Sequence, residues 1–327
     1  MTVLITGGAG YIGSHMAWLC HDQSIPCVVL DDLSTGFADQ LPPDMPVVVG
    51  DVGDRALLHD LLNRYQIDSL LHFAAKIVVP ESVAAPLAYY QTNTAKACTL
   101  LDCAQAHGIK QVLFSSTAAV YGDVQESPVT EHALTQPTSP YGQSKRMVEQ
   151  MLFDAAHAYG MRSVVLRYFN VAGADPFGRT GQSNPQATHL IKLACLAALG
   201  QRPDLTIYGD DYPTPDGTGV RDYIHVSDLA EAHLCALRYL QQGGGSLVAN
   251  CGYGRGYSVR AVIEAVKQVS GVDFPVRIAK RRAGDPASLI ADGRIARQVL
   301  AWTPRYEDLH QIVDHALAWE RRCLAAV

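Results

Sequence analysis

The chain of 327 residues is short of charge: Lys, Arg, Asp and Glu together make up 18% of it, with 26 basic side chains against 32 acidic ones and a formal net charge of −6. It has no long run of lysine and arginine. Neutralising a phosphate backbone requires clustered cations, so nucleic acid is excluded as the main partner, whereas a small anionic ligand is not. Also missing is any uninterrupted apolar stretch of about eighteen residues, so no membrane span is expected. The first residues, Met1 to Gly7, lack the basic start, long apolar core and small-residue cleavage site of a secretory leader. The eight cysteines, Cys20, Cys27, Cys98, Cys103, Cys195, Cys235, Cys251 and Cys323, include no C-x-x-C pair and no His/Cys grouping at ligand spacing. They read as reduced, mostly buried thiols of a cytoplasmic protein, with no metal site.

What the chain does have is apolar residues, 48% of the total, enough for a sizeable core. A single core stops growing near 250–300 residues, so two lobes are expected. Up to about residue 170, short β-branched runs (Val3-Leu4-Ile5, Cys27 to Leu30, Val47 to Val49, Leu70 to Phe73, Val112 to Phe114, Val164 to Leu166) alternate with helical stretches (Asp54 to Tyr65, Val83 to His107, Tyr141 to Tyr159). Near-continuous apolar strands separated by helices predict a doubly wound parallel α/β sheet over residues 1–171. Beyond it the pattern loosens. Helices near 186–199, 227–241, 258–270 and 306–322, with brief strands at Leu205 to Tyr208 and Leu247 to Ala249, predict a smaller α/β lobe over 172–327, with some chain crossing between the lobes. Gly243-Gly244-Gly245 reads as a surface turn.

Two constellations carry chemistry. Thr6-Gly7-Gly8-Ala9-Gly10-Tyr11-Ile12-Gly13 follows the first strand and opens a helix. Glycines there allow a tight turn and close approach of a pyrophosphate to the helix N-terminus. Asp31-Asp32 follow the second strand at about the twenty-residue offset where an acid binds ribose hydroxyls and repels a 2′-phosphate. No Arg follows closely, so NAD is favoured over NADP. Asp51-Val52 end the third strand; the acid there suits an adenine amino group, or caps the next helix. The second constellation is Tyr141-Gly142-Gln143-Ser144-Lys145. Four residues apart on a helix, Tyr and Lys share a face, and an ammonium beside a phenol lowers its pKa toward general-base range. The preceding strand ends Ser115-Ser116-Thr117, placing hydroxyls at the carboxyl edge where ligands sit.

Glycine loop, strand-end hydroxyl and Tyr-x-x-x-Lys in this order resemble the short-chain dehydrogenase/reductase superfamily of Rossmann fold. Val3 to His15, Leu71 to Val83, Phe114 to Gly122, Arg167 to Asn170 and above all Tyr208 to Leu229 resemble its extended sugar-nucleotide branch, over essentially the whole chain. The resemblance implies tightly bound NAD and 4-epimerisation of a UDP-sugar, UDP-glucose and UDP-galactose first, N-acetylhexosamine or pentose forms as alternatives. It implies that Tyr141 is the acid/base on the sugar 4-hydroxyl, that Thr117 bridges the 4-oxygen and the phenol, and that Lys145 holds the nicotinamide ribose. On the cofactor side it implies Gly7, Gly10, Tyr11, Ile12, Gly13, Asp31, Asp32, Asp51, Val52, Phe73, Ala74, Ala75, Lys76, Asn93, Ser115 and Tyr168. On the sugar-nucleotide side it implies Asn170, His189, Leu190, Thr206, Tyr208, Arg221, Arg282, Asp285 and Leu289. The two arginines would clamp the diphosphate. It also implies a homodimer, for which Pro86 to His107 and Met147 to Tyr159 are the candidate helices.

Taken alone, Arg221 beside Asp222 is equally an ordinary ion pair, Tyr208 a core aromatic, and Asn170 a strand-end cap. His15, His72 and His225 lack ligand-spaced partners and read as structural. The sequence departs from the family pattern at Lys76, one place early, with Ile77 in its slot and Pro80 for a glycine. It departs again at Leu289, where a Tyr restricts sugar size and a Cys or Ser admits N-acetyl sugars, and at His189, which replaces an amide. A sugar-nucleotide 4,6-dehydratase would need Asp-Glu after the strand-end Thr; Ala118 and Ala119 stand there. A substrate-consuming dehydrogenase and a silent NAD-binding scaffold are the remaining rivals.

Overall fold

The structure, a computed structural model, describes residues 2–124, 126–282 and 285–325. In chain order the strands are β1 (Thr2–Thr6), β2 (Cys27–Asp31), β3 (Val47–Val49), β4 (Ile67–His72), β5 (Gln111–Thr117), β6 (Arg162–Tyr168), β7 (Asn170–Ala172), β8 (Leu205–Tyr208), β9 (Val220–His225), β10 (Leu247–Cys251), β11 (Gly256–Ser258), β12 (Val276–Ala279) and β13 (Ser288–Leu289). The helices are α1 (Tyr11–Asp22), α2 (Arg55–Arg64), α3 (Val79–Ala84), α4 (Pro86–Tyr89), α5 (Lys96–Ala106), α6 (Pro140–Tyr159), α7 (Leu190–Ala198), α8 (Val226–Gln241), α9 (Val259–Ser270), α10 (Arg294–Val299) and α11 (Leu309–Ala325).

A seven-stranded parallel sheet runs in the order β10-β6-β5-β4-β1-β2-β3. Both faces are buried, and the strands divide their side chains between two cores with period two. Val3 and Ile5 face Met16 and Ala17 of α1 and Leu234 of α8. Leu4, Val28 and Leu30 face Leu58 and Leu61 of α2, Leu100 of α5 and Val148 of α6. That is why the strands read as unbroken apolar runs. Strand order reverses between β1 and β4, and the crevice at the carboxyl ends of a doubly wound sheet lies at such a switch point.

The remaining strands form a four-stranded set, β11-β9-β13 with β7 also on β9, and a parallel pair β8-β12. Helices α7, α9 and α11 pack on one another beside them. The sequence expectation for Leu247 to Ala249 is corrected here: β10 is not part of the small lobe but the edge of the large sheet, in register with β6 from Leu247 opposite Val164 to Cys251 opposite Tyr168. Helix α8 likewise lies on α1 and on β5 and β6. Pairing between strands far apart in sequence leaves no local signal. The expected single helix from Val83 to His107 is also broken. Ala85 takes φ −135° and ψ 62° before Pro86, and a six-residue π-helical stretch, Tyr90–Ala95, precedes α5. Gly243 to Gly245 make a turn between α8 and β10. All eight cysteines are unpaired, five of them buried. Among the described residues no helix is long and apolar enough to cross a membrane.

Candidate active site

The glycine loop sits at the switch point. A Cβ on Gly13 would lie 2.2 Å from the Gly7 carbonyl oxygen, so only glycine lets α1 close onto the loop. Gly10 is the N-cap of α1 and brings no side chain to cap it, leaving the first-turn amides of Tyr11 and Ile12 facing the crevice end of the sheet. Asp31, buried at the end of β2, accepts from the Ala9 amide through Oδ2 and from the Leu33 amide through Oδ1, both at 2.9 Å. Burial lifts its carboxyl above the ordinary range against the pull of those amides. Each oxygen keeps a second lone pair, so the carboxylate can still accept ribose hydroxyls while it locks the loop. Asp32 is held by Ser34. Phe73 and Ala74 both donate their amides to the Thr6 carbonyl, which sets the end of β4, with Ala75 beyond it, against the loop.

Asp51 does not cap α2. Asp54 does, accepting from the Ala56 and Leu57 amides, while Asp51 pairs with Lys96 at 2.6 Å and accepts from Gly53. Val52 is buried beside it. A loop of uncapped amides with an acid and no cation at the β2 end suits a dinucleotide lacking a 2′-phosphate, so the residues present fit NAD.

The Tyr141–Lys145 pair is built where α6 meets β5. Ser139 caps α6, Pro140 starts it and Gly160 at φ 65° ends it. A Cβ on Gly142 would lie 2.5 Å from the Ala119 carbonyl oxygen, so this glycine brings the helix directly against the turn after β5. Tyr141 is thereby brought beside Thr117, whose hydroxyl acts to lower the pKa of the phenol. Thr117 Oγ1 accepts from the Ala119 amide at 3.2 Å, which leaves its own proton free to be donated. Lys145, one turn on and 2% exposed, donates to the Ser115 carbonyl at 2.9 Å and stands 4.9 Å over the Phe114 ring. The Ser115 hydroxyl donates to the Tyr168 phenol at 3.1 Å.

The electrostatic expectation for this pair is corrected. In the polypeptide itself burial pushes the Tyr141 phenol up, the neighbouring Tyr168 adds to the rise, and the Thr117 hydrogen bond pulls it partly back. Burial also brings Lys145 down to about 7, with Glu149 opposing. A lysine titrating near neutrality and turned to a carbonyl does not pull the phenol down, since desolvation acts on both groups.

Asn93 lies in the π-helical stretch and is buried. Its amide nitrogen donates to the Lys76 carbonyl and to Ser144 Oγ, and its oxygen accepts from the Lys76 amide. The Lys76 ammonium pairs with Glu81 at 2.9 Å. Tyr89, absent from the sequence reading, meets Tyr141 edge to face at 6.5 Å and ties α3 down through Val78 and Glu81.

The sugar-nucleotide candidates come together in the second lobe. Arg282 stacks over the Tyr208 ring at 3.8 Å, and Arg221 lies 3.9 Å from Asp285. Thr206 and Tyr208 alternate with the buried Leu205 and Ile207 and so share the open face of β8. Tyr208 is 41% exposed, which removes the core-aromatic reading. Arg221 is not paired with Asp222, whose buried carboxylate instead accepts amides of Tyr253, Gly254 and Ala291. Leu289 stands opposite Arg221 in the pairing of β13 with β9 and packs on Tyr121, Val129 and Phe169.

Asn170, at the start of β7, lines a cavity of about 440 Å³, solvent at its mouth included, with Tyr11, Gly173, His189, Leu190 and Tyr223. Tyr11 joins the halves, donating from the glycine-loop helix to the Gly173 carbonyl at 2.7 Å. His189 is the N-cap of α7 without a side-chain cap bond, and burial lowers it to about 4, with Lys192 adding to the fall, so it is neutral. The three histidines that the sequence reads as structural are engaged within the core: His15 with the Tyr11 carbonyl, His72 with Thr6, and His225 with the Ser227 amide and His315.

The sequence reading also passed over a buried polar network under the site. Glu149 accepts from Ser116 and takes both ends of the Arg167 guanidinium. Arg167 reaches the Tyr121 phenol, which donates to Asn250 on β10. The signals were present: an arginine inside the apolar run of β6, and a glutamate one turn after Lys145.

A sequence profile described as the NAD dependent epimerase/dehydratase family matches residues 3–252. A protein of Azospirillum brasilense called UDP-glucose 4-epimerase is 56% identical over 319 residues, 98% of this chain and 92% of that one. The UDP-glucose 4-epimerase of Brucella ovis, solved in complex with NAD, superposes with TM-score 0.94 at 43% identity, covering 97% of both chains. That of Bifidobacterium longum, solved with NAD+ and UDP, gives 0.95 at 36% identity, covering 100% of both.

Proposed function

This chain belongs to the NAD dependent epimerase/dehydratase family, and on that premise we propose that it is an NAD-dependent UDP-glucose 4-epimerase, interconverting UDP-glucose and UDP-galactose through a 4-keto sugar. The family name spans two reactions, and the observation that decides between them is the end of β5. Thr117 engages Tyr141, and the next two side chains are those of Ala118 and Ala119. Dehydration needs a further acid/base pair for C5 and C6; epimerisation needs one group that moves a proton on and off the C4 oxygen.

Tyr141 is that group. Thr117 donates to the phenol oxygen and so stabilises the phenolate that accepts the C4 hydroxyl proton. The buried Lys145, as ammonium, adds positive charge on the same helix face. When bound, NAD supplies the hydride acceptor and later the donor, and carries a formal positive charge in its oxidised form. The Tyr11 and Ile12 amides and Asp31 would hold it by its pyrophosphate and ribose; Asn93, Ser115 and Tyr168 would shape the nicotinamide end. Arg221 and Arg282 would hold the UDP diphosphate and leave the sugar to turn over between oxidation and reduction. Two arginines and the open end of α7 answer the dianion despite the net charge of −6.

We read the enzyme as a cytoplasmic homodimer, on its unpaired thiols and on the exposed Leu87, Met147 and Tyr159 of the two candidate helices; sedimentation as a monomer at micromolar concentration contradicts the dimer. The function is tested by incubating the purified protein, without added cofactor, with UDP-glucose and separately with UDP-galactose, UDP-N-acetylglucosamine and UDP-xylose, and following the anomeric protons by NMR. Interconversion of the first two, with no accumulation of NADH, is expected. No interconversion of any sugar contradicts the reading.

A further inference from the structure

We propose that Glu149 is a positioning residue for Tyr141 and Lys145: held by Ser116 and Arg167, it fixes the register of α6 on the carboxyl end of β5 and presents a carboxylate to Lys145. The geometry is a ladder. Tyr141, Lys145 and Glu149 follow one another at one-turn spacing on α6, and all three meet the last three residues of β5: Tyr141 lies beside Thr117, Lys145 donates to the Ser115 carbonyl at 2.9 Å, and Glu149 accepts from the Ser116 hydroxyl at 2.5 Å. The Glu149 side chain is 0% exposed and Arg167 grips both its oxygens, at 3.0 and 2.6 Å, from the adjacent strand β6. Arg167 itself is anchored by Tyr121, which Asn250 of β10 holds in turn. A bidentate grip fixes direction as well as distance, so the helix is set against sliding and rolling at the rung next to the reactive pair.

Charge is the second part. The groups that act on Lys145 are Glu149 on its own helix, the Ser115 carbonyl and Phe114 ring from β5, and the neutral His72 from β4, while from β6 Tyr168 bonds the Ser115 hydroxyl and Arg167 bonds Glu149. Glu149 is the carboxylate among them, and it favours the ammonium against the burial that disfavours it. Arg167 offsets part of that charge.

This inference deepens the epimerase reading and rests on it, so the test carries a measurement made without substrate. Wild type, E149Q, E149D and S116A are compared as holoenzymes. With Glu149→Gln, kcat is expected to fall about tenfold with KM within about twofold, as for a misplaced reacting group. The pH at which kcat falls on the alkaline side moves down by about one unit, because loss of the carboxylate makes the ammonium easier to deprotonate. The titration midpoint of Lys145, read by NMR on lysine labelled with carbon-13 at Cε, moves down with it. E149D restores the alkaline limb but not all of kcat, and S116A lowers kcat about threefold without moving the limb. A folded E149Q with wild-type kcat, or with an unmoved lysine midpoint, overturns the proposal. If E149Q fails to fold, S116A with wild-type kcat overturns it. A wild-type protein that turns over no UDP-sugar, while E149Q still shifts the lysine midpoint, overturns the function and leaves the placement of Glu149 supported.

Discussion

The candidate site groups of the two halves sit in different surroundings, although each half also seals an ion pair, Arg167–Glu149 in one and Lys192–Glu320 in the other. In the large sheet the proposed reactive groups are buried: Lys145 is 2% and Tyr141 6% exposed, Lys145 bonded to the Ser115 carbonyl and Tyr141 set beside Thr117, with an ion pair sealed beneath them. In the second lobe the groups that would meet the diphosphate stand on open strands and loops, Tyr208 at 41% exposure and Arg282 stacked on it. Burial makes protonation states adjustable, which suits chemistry; guanidinium groups, whether exposed as in Arg282 or 15% exposed as in Arg221, keep their charge, which suits capture of a nucleotide diphosphate. On the proposed function, the difference would assign kcat to one half and KM to the other.

The largest effect expected from breaking that division is at the phenol. Tyr141→Phe should lower kcat by about 10²–10⁴-fold while the protein still binds UDP-sugar with near-normal affinity, measured by steady-state kinetics and calorimetry. Next, Arg221→Ala should raise KM about 10- to 100-fold, the cost of one or two charge-assisted hydrogen bonds, with kcat and NAD content little changed. A large fall in kcat with unchanged KM would erase the distinction between the halves. Asp31→Asn should weaken NAD retention about tenfold and narrow the preference over NADP, read from the cofactor released on denaturation, with no effect on KM for the sugar nucleotide.

The smallest effect is on stability. Burial lowers Lys145 from the ordinary lysine value of about 10.5 to about 7, so between pH 7 and 10.5 the unfolded chain binds more protons at this residue than the folded one. The contribution of Lys145 to stability therefore rises with pH across that window and is least favourable below it. Lys145→Met should be inactive yet more heat-stable than wild type near pH 6, with the gap in Tm closing toward pH 10.

How much was legible follows the same divide. The strands β1 to β6 announced themselves because burial on both faces leaves unbroken apolar runs, and the glycine loop, Asp31 and Tyr141-x-x-x-Lys145 lie in short contiguous motifs. Strand β10 and helix α8 were assigned to the wrong lobe because β10 joins the sheet by pairing with a strand far back in the chain, which no local pattern encodes. The break at Ala85-Pro86 was readable from the proline; the π-helical stretch that turns Asn93 inward was not. The direction in which the Tyr141 phenol moves was misread because a spacing rule counts the neighbouring ammonium but not the desolvation of both groups. Glu149 and Arg167 were passed over, because their pairing joins a helix to a strand and only packing reveals that they face each other. The placements of Arg221, Tyr208, Arg282 and Asp285 came from resemblance, since their proximity depends on strands joined across the second lobe.

The central claim is that one buried phenol serves a reversible oxidation confined to C4, with nothing removed elsewhere on the sugar. It is tested most directly by incubating the enzyme in ordinary water with UDP-glucose carrying deuterium at C4 and analysing the UDP-galactose formed by NMR and mass spectrometry. The account predicts product that retains the deuterium at C4, with no loss of mass by dehydration. Loss of the label to solvent, or a product lighter by one water, contradicts it.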